Sequence, residues 1–90
     1  MRKHTRIYMS HFGYDESDFI PSEISGLPCN DIHHIFRRGL GGNSMADSID
    51  NIMAVTREEH IKYGDKKQYM DWLNDVHQYF LLTRIPWNLK

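Results

Sequence analysis

Cysteine is almost absent: Cys29 is the one thiol in 90 residues. A single thiol excludes both an internal disulfide and a cysteine-built zinc site within one chain, and Cys29 itself reads as a small, half-buried residue. Long apolar runs are missing as well. No stretch approaches the ~20 residues that a membrane-spanning helix needs, and the basic start Arg2-Lys3-His4 is followed by no apolar segment of the signal-peptide kind. The expectation is a cytoplasmic protein with no membrane association. An excess of charge of either sign is also lacking, at a net −1, so any polyanion would have to be held by the distribution of charge and not by its total. That distribution is uneven. Arg2, Lys3 and Arg6 stand in the first ten residues without an acid, and Asp15, Glu16, Asp18 and Glu23 follow without a base among them. The acidic stretch reads as solvated surface.

What remains is ordinary globular composition, 40% hydrophobic and 26% charged. A chain this short buries only about 60% of the surface exposed when it is unfolded, so residues 1–90 are read as one domain with one modest core. Ile7, Tyr8, His11 and Phe12 recur at helical spacing and predict a helix over Lys3 to Phe12, with Gly13 as its C-terminal cap and a polar turn over Tyr14 to Ser17. Pro21 ends the brief apolar segment Phe19-Ile20. Asp31 to Phe36 alternates with the period of a strand, and Asn51 to Val55 supplies a second strand after a polar loop from Asn43. In Thr56-Arg57-Glu58-Glu59, the Thr56 hydroxyl can accept from the residue 59 N–H while Glu59 reaches back, a capping box that opens a helix carrying His60. A looser box, Asp65-x-x-Gln68, opens a last helix at about Lys66. Its stripe of Tyr69, Leu73, Val76 and Phe80, with Trp72 and Tyr79 beside it, reads as core, with a homodimer surface as the alternative. Pro86 stops that helix, and Trp87 is expected to fold back on the body. Lys62 and His77 are read as surface residues.

The chemistry-bearing residues concentrate in one block. Asp31-Ile32-His33-His34-Ile35 sets two imidazoles side by side, just ahead of the cationic, glycine-rich Arg37-Arg38-Gly39-Leu40-Gly41-Gly42, and His60 adds a third. Such a cluster points to a metal site with a nucleophile-activating base beside it. Strand alternation sends His33 and His34 to opposite faces, so both serve one site only where the strand ends, bends or meets a loop. The glycines would let backbone approach a phosphate closely, and a plain surface loop is the simpler reading of them. His4 and His11 can in principle ligate a metal, but a lone histidine on such a helix is more often a surface or core-edge residue.

These residues resemble the HNH endonuclease family. His34 is followed by Asn51 seventeen positions on and by His60 nine positions later, with Asp50-Asn51-Ile52-Met53 and Thr56-Arg57-Glu58-Glu59-His60 closing the block over residues 28 to 64. The resemblance implies an α+β fold with a ββα-metal (His-Me finger) motif, a short two-stranded hairpin with a long loop plus a helix, flanked by an N-terminal helix and a longer C-terminal one. It further implies a DNA endonuclease similar to small free-standing phage or mobile-element enzymes. His33 and His60 would bind one divalent ion (magnesium, manganese, nickel or zinc), and His34 would take the proton from the attacking water. Asn51 would hold the segment around His34 by hydrogen bonds across the loop. Arg37, Arg38 and Arg57 would contact phosphates. Many relatives carry four zinc-binding cysteines, and the matching positions here are Ser22, Ser25, Thr56 and Glu59, so no structural zinc is expected. Some relatives carry a further histidine four residues after the last one, where this chain has Gly64, and Asp31 is then a candidate to complete the metal shell, although a structural hydrogen bond is the preferred role for it. The readings from other classes are a non-catalytic nucleic-acid-binding or scaffolding domain and a toxin-like nuclease with an immunity partner. Specificity would come from a dimer or from a separate partner, or be slight.

Overall fold

The computed structural model describes residues 1–37 and 46–90. Arg38, Gly39, Gly41, Gly42 and the Asn43 end of the expected polar loop lie outside the described residues. In chain order the elements are helix α1 (Lys3–Phe12), strand β1 (Asp31–His34), strand β2 (Ile52–Val55), helix α2 (Arg57–Tyr63) and helix α3 (Lys67–Thr83), with single 3-10 turns at Ile49–Asn51 and Trp87–Leu89. The class is α+β, three helices around a two-stranded antiparallel hairpin.

The hairpin sits at the centre because β2 is apolar on both faces. Its four residues Ile52, Met53, Ala54 and Val55 are all buried, and alternation divides them. Met53 and Val55 pack with Ile24, Ile35, Leu73 and Val76, whereas Ile52 and Ala54 pack with Tyr8, Phe12 and Phe80. One face therefore looks to the first half of α3, the other to α1 and the far end of α3. The α3 stripe is core, as its spacing implied, and Trp87 folds back onto the Met53 side, its N–H donating to the Glu23 carbonyl at 2.8 Å. Among the described residues no helix is long and apolar enough to cross a membrane.

Local signals behave as their chemistry requires. Gly13 adopts φ 74° at the end of α1, a left-handed cap open to glycine, and its N–H closes on the last carbonyls of the helix. The Thr56 and Glu59 capping box is complete in both directions. Glu59 does more than cap: its Oε1 also accepts from the Ser22 hydroxyl, and Ser22 Oγ accepts the Ile24 and Ser25 N–H groups. The turn before β1 is thus tied by hydrogen bonds to the start of α2.

Four sequence expectations need correction. β1 stops at His34 and not at Phe36, because the Ile35 N–H turns to the Asn51 carbonyl at 2.8 Å and the Phe36 backbone bonds to the Asn51 side chain. Asp65 does not cap α3. It has φ 57°, and the N-cap position belongs to Lys66, which forms no side-chain cap. Glu23 is not solvated surface and His77 is not a surface residue, since both are fully buried. Their side chains meet at 2.7 Å, and Glu23 also accepts from the Tyr8 hydroxyl and the Ala54 N–H, while the His77 Nε2–H donates to the Ile49 carbonyl. One carboxylate therefore ties α1, β2 and α3 together, which is how a buried charge becomes tolerable.

Candidate metal centre and its cleft

The pairing register of the hairpin decides where each imidazole goes. His33 stands opposite Met53 and His34 opposite Ile52, so His33 shares a face with Asp31 and turns toward α2, and His34 shares a face with Ile32 and turns toward α1. Both still reach one place because His34 is the last residue of the strand. A cleft of about 260 Å³ is lined there by Arg2, His4, His33, His34, Arg37, His60 and Asp65, with Ile32.

On the α2 side, the His33 and His60 rings lie 4.7 Å apart between centroids. His33, His60 and Asp65 each bring one ligand atom within 4.8 Å of the other two. The Nε2 of His33 is buried and, among the described residues, without a hydrogen-bond partner. A buried ring nitrogen of that kind costs free energy unless something accepts its lone pair, and a cation would. Burial, with neighbouring His60 adding to it, lowers His33 to a pKa of about 4, so at neutral pH the ring is in the uncharged form that ligates metal. His60 is oriented from behind: its Nδ1–H donates to Asp31 Oδ2 at 3.1 Å, leaving Nε2 for the cleft. A carboxylate behind a ligating histidine fixes its tautomer and raises its basicity. Asp31 in turn receives the Arg57 guanidinium at 2.9 and 3.1 Å, and this pairing and the His60 contact hold its carboxyl below the usual range. Asp31 therefore has the hydrogen-bonding role preferred for it from the sequence. Arg57 is engaged with Asp31 and does not line the cleft, whereas Arg37 does.

Gly64 explains why the third candidate donor is Asp65. A Cβ at position 64 would lie 2.5 Å from both Cδ2 and the carbonyl oxygen of His60 and 3.3 Å from Cε1 of His33. No side chain fits there. The chain passes the two rings as bare backbone, and the left-handed Asp65 then brings its carboxylate to them. Sequence reasoning missed Asp65 because its spacing from Gln68 mimics a capping box.

On the α1 side, His34 Nε2–H donates to Asp47 Oδ1 at 2.7 Å, which assigns the lone pair to Nδ1; among the described residues Nδ1 has no partner. His4 lies over the His34 ring at 4.4 Å between centroids, its own Nε2–H donating to the Ile32 carbonyl at 3.0 Å. His4 is there because it belongs to the buried stripe of α1, one and two turns ahead of Tyr8 and Phe12. Asn51 is fully enclosed and holds three backbone groups: its Nδ2 donates to the carbonyls of Phe36 and Ala46 at 2.8 and 2.9 Å, and its Oδ1 accepts from the Phe36 N–H at 3.0 Å. It fastens the two chain segments that carry His34 and Asp47.

No family model, curated protein or solved structure matches this chain. What the chain does must be inferred from the side chains around the cleft.

Proposed function

We propose that the chain is a metal-dependent endonuclease of the HNH kind, in which β1, β2 and α2 act as a ββα-metal motif and phosphodiester bonds of DNA are hydrolysed. The observation that carries this reading is the juxtaposition in one cleft of a three-donor set, His33, His60 and Asp65, with a separate imidazole, His34, whose proton-accepting nitrogen has no partner among the described residues. A binding module has no use for such a base.

The residues fit a divalent ion: the buried, unpartnered His33 Nε2, the His60 ring oriented by Asp31 and a carboxylate satisfy the donor chemistry of borderline and harder cations alike. Bound there, the ion would supply charge neutralisation on the phosphoryl oxygens and stabilisation of the departing oxygen. The chain's own residues do the rest. His34 accepts the proton of the attacking water at Nδ1, and Asp47 on Nε2 holds the tautomer and stabilises the imidazolium that forms. Asn51 acts at a distance as a positioning residue. Arg2 and Arg37, in the cleft wall, receive the phosphates on either side of the scissile one.

The test is cleavage of supercoiled plasmid by purified protein across magnesium, manganese, nickel and zinc, with chelator as control. Relaxed or linear product that requires metal, and that falls by about 10²–10⁴-fold in His34→Ala, is the expected result. Retained DNA binding with no product under any metal would replace this reading with a non-catalytic scaffold.

A further inference from the structure

We propose that His4, His34 and Asp47 form a second cation site, suited to a transition metal of the zinc class, and that its occupation removes His34 from proton transfer. The binding part stands on geometry alone; the inhibitory consequence rests on the nuclease reading above.

Three donors from three separate parts of the chain, α1, β1 and the segment before β2, each place a ligand atom within 4.8 Å of the others. All three residues are half-buried, which limits competition from bulk water without sealing the site. The supporting contacts are those of metal ligands. His4 gives its Nε2–H to the Ile32 carbonyl, which leaves Nδ1 as the lone-pair donor and fixes the ring, an outer-shell arrangement found behind ligating histidines. Asp47 and His34 already touch at 2.7 Å, so a cation would enter by displacing one proton from between a nitrogen and an oxygen that are both good ligands. Burial and the Asn51 clasp on Phe36 and Ala46 keep these partners near each other whether or not an ion is present.

Donor chemistry selects the ion. Two imidazoles with one carboxylate favour zinc, nickel or copper, and magnesium, which prefers oxygen ligands and keeps its waters, has little to gain there. The two sites carry the same donor set, so they differ in which rings they occupy and not in which ion they prefer. An ion at His33, His60 and Asp65 alone would leave His34 free, whereas zinc in excess would also fill the His4 side, binding His34 at Nε2 and leaving the ring proton on Nδ1, which then can no longer accept the proton of water. On entry the His34 ring proton moves from Nε2 to Nδ1, so the ring stays neutral, and no electron transfer is involved.

The experiment is calorimetric titration of the metal-free protein with zinc chloride, paired with proton–nitrogen spectra of the histidine rings. Two equivalents are expected for the unaltered chain, one for His4→Ala, and one for His60→Ala, with the second equivalent moving the His4 and His34 signals. Asp47→Asn serves as an independent variant should His4→Ala disturb α1, and is expected to weaken that equivalent by more than about tenfold. A single equivalent that disappears in His60→Ala and is untouched by His4→Ala and Asp47→Asn would overturn the site. In a parallel plasmid assay run in magnesium, the zinc concentration that halves cleavage should rise by more than about tenfold in His4→Ala relative to the unaltered chain. Equal zinc sensitivity in both, with two equivalents bound, would overturn the inhibitory role alone. Absence of any cleavage with two equivalents bound would overturn the nuclease reading and leave the second site standing.

Discussion

Gly64 and His60 are in contact so close that only a residue without a side chain fits beside the candidate metal centre: a Cβ there would come within 2.5 Å of the His60 ring and of its carbonyl oxygen. The Gly64 N–H donates to that same carbonyl at 2.8 Å as the last turn of α2 ends. Replacing Gly64 with alanine must therefore push the His60 ring or unwind the end of α2. Overpacking of this kind costs about 1–3 kcal/mol. The expected outcome for Gly64→Ala is a lowered thermal midpoint together with weakened metal affinity at the His60 site, read by calorimetry. Unchanged affinity would show that the ring is free to move without loss and that its observed position is not the ligating one.

Asp65 offers a cleaner separation of binding from stability. Its φ of 57° is a conformation that asparagine also adopts readily, so Asp65→Asn should leave the fold and its denaturation midpoint close to those of the unaltered chain. Loss of the carboxylate charge should nevertheless weaken metal binding at the His33 and His60 site by more than the about 10–100-fold typical of losing an outer-shell partner. Asp31→Asn is the instructive comparison, because Asp31 would act on a metal only through His60 and also pairs with Arg57. Its effect on affinity should be the smaller of the two.

How much of this was legible in the sequence follows from the range of the interactions. α1 carries its own stripe and its own glycine cap, and α2 its own capping box, so both could be read from neighbouring residues. The division of His33 and His34 between two faces also follows from strand period alone. Asp47 facing His34 across thirteen residues has no local signal, nor has the glutamate–histidine pair that joins positions 23 and 77. Asp65 was obscured by a competing local pattern. The end of β1 was misjudged by two residues because Asn51, a long-range partner, intercepts the backbone of Ile35 and Phe36.

The buried Glu23 should be the most sensitive single position for stability. Burial pushes its carboxyl up, and the carboxylate in turn raises His77 against the opposing effect of burial on that ring. Glu23→Ala would leave the His77 ring, the Tyr8 hydroxyl and the Ala54 N–H without their partner in the core. Breaking a buried pair from one side costs about 3–5 kcal/mol, a large part of what a domain of this size possesses. Urea denaturation should show that loss, and Tyr8→Phe, which removes one donor and leaves the pair intact, should show a smaller one of about 1–3 kcal/mol. Comparable losses in the two variants would mean that the Tyr8 hydroxyl, and not the ion pair, holds the three elements together.

The metal-free protein should gain stability as pH rises from about 4 to 6.5. His33 is held down at a pKa of about 4, and His4 is lowered as well by burial and by the adjacent His34. An unfolded histidine binds its proton near ~6.5. Between the two values the unfolded chain therefore carries protons that the folded chain refuses, and stability climbs with pH. For His33 the integrated difference is about 3 kcal/mol. Glu23 and His77 act with the opposite sign: the raised Glu23 carboxyl offsets part of the rise at pH above its ordinary value, and the raised His77 contributes stability below ~6.5 that is lost as pH climbs through its folded value. Denaturation in chelator across pH 4 to 9 should thus trace a rise followed by a fall. His33→Asn should flatten the acidic limb while leaving the alkaline limb in place. An acidic limb unchanged in that variant would mean that His33 is not the proton-excluding group, and with it would go the argument that its buried Nε2 stands ready for a cation.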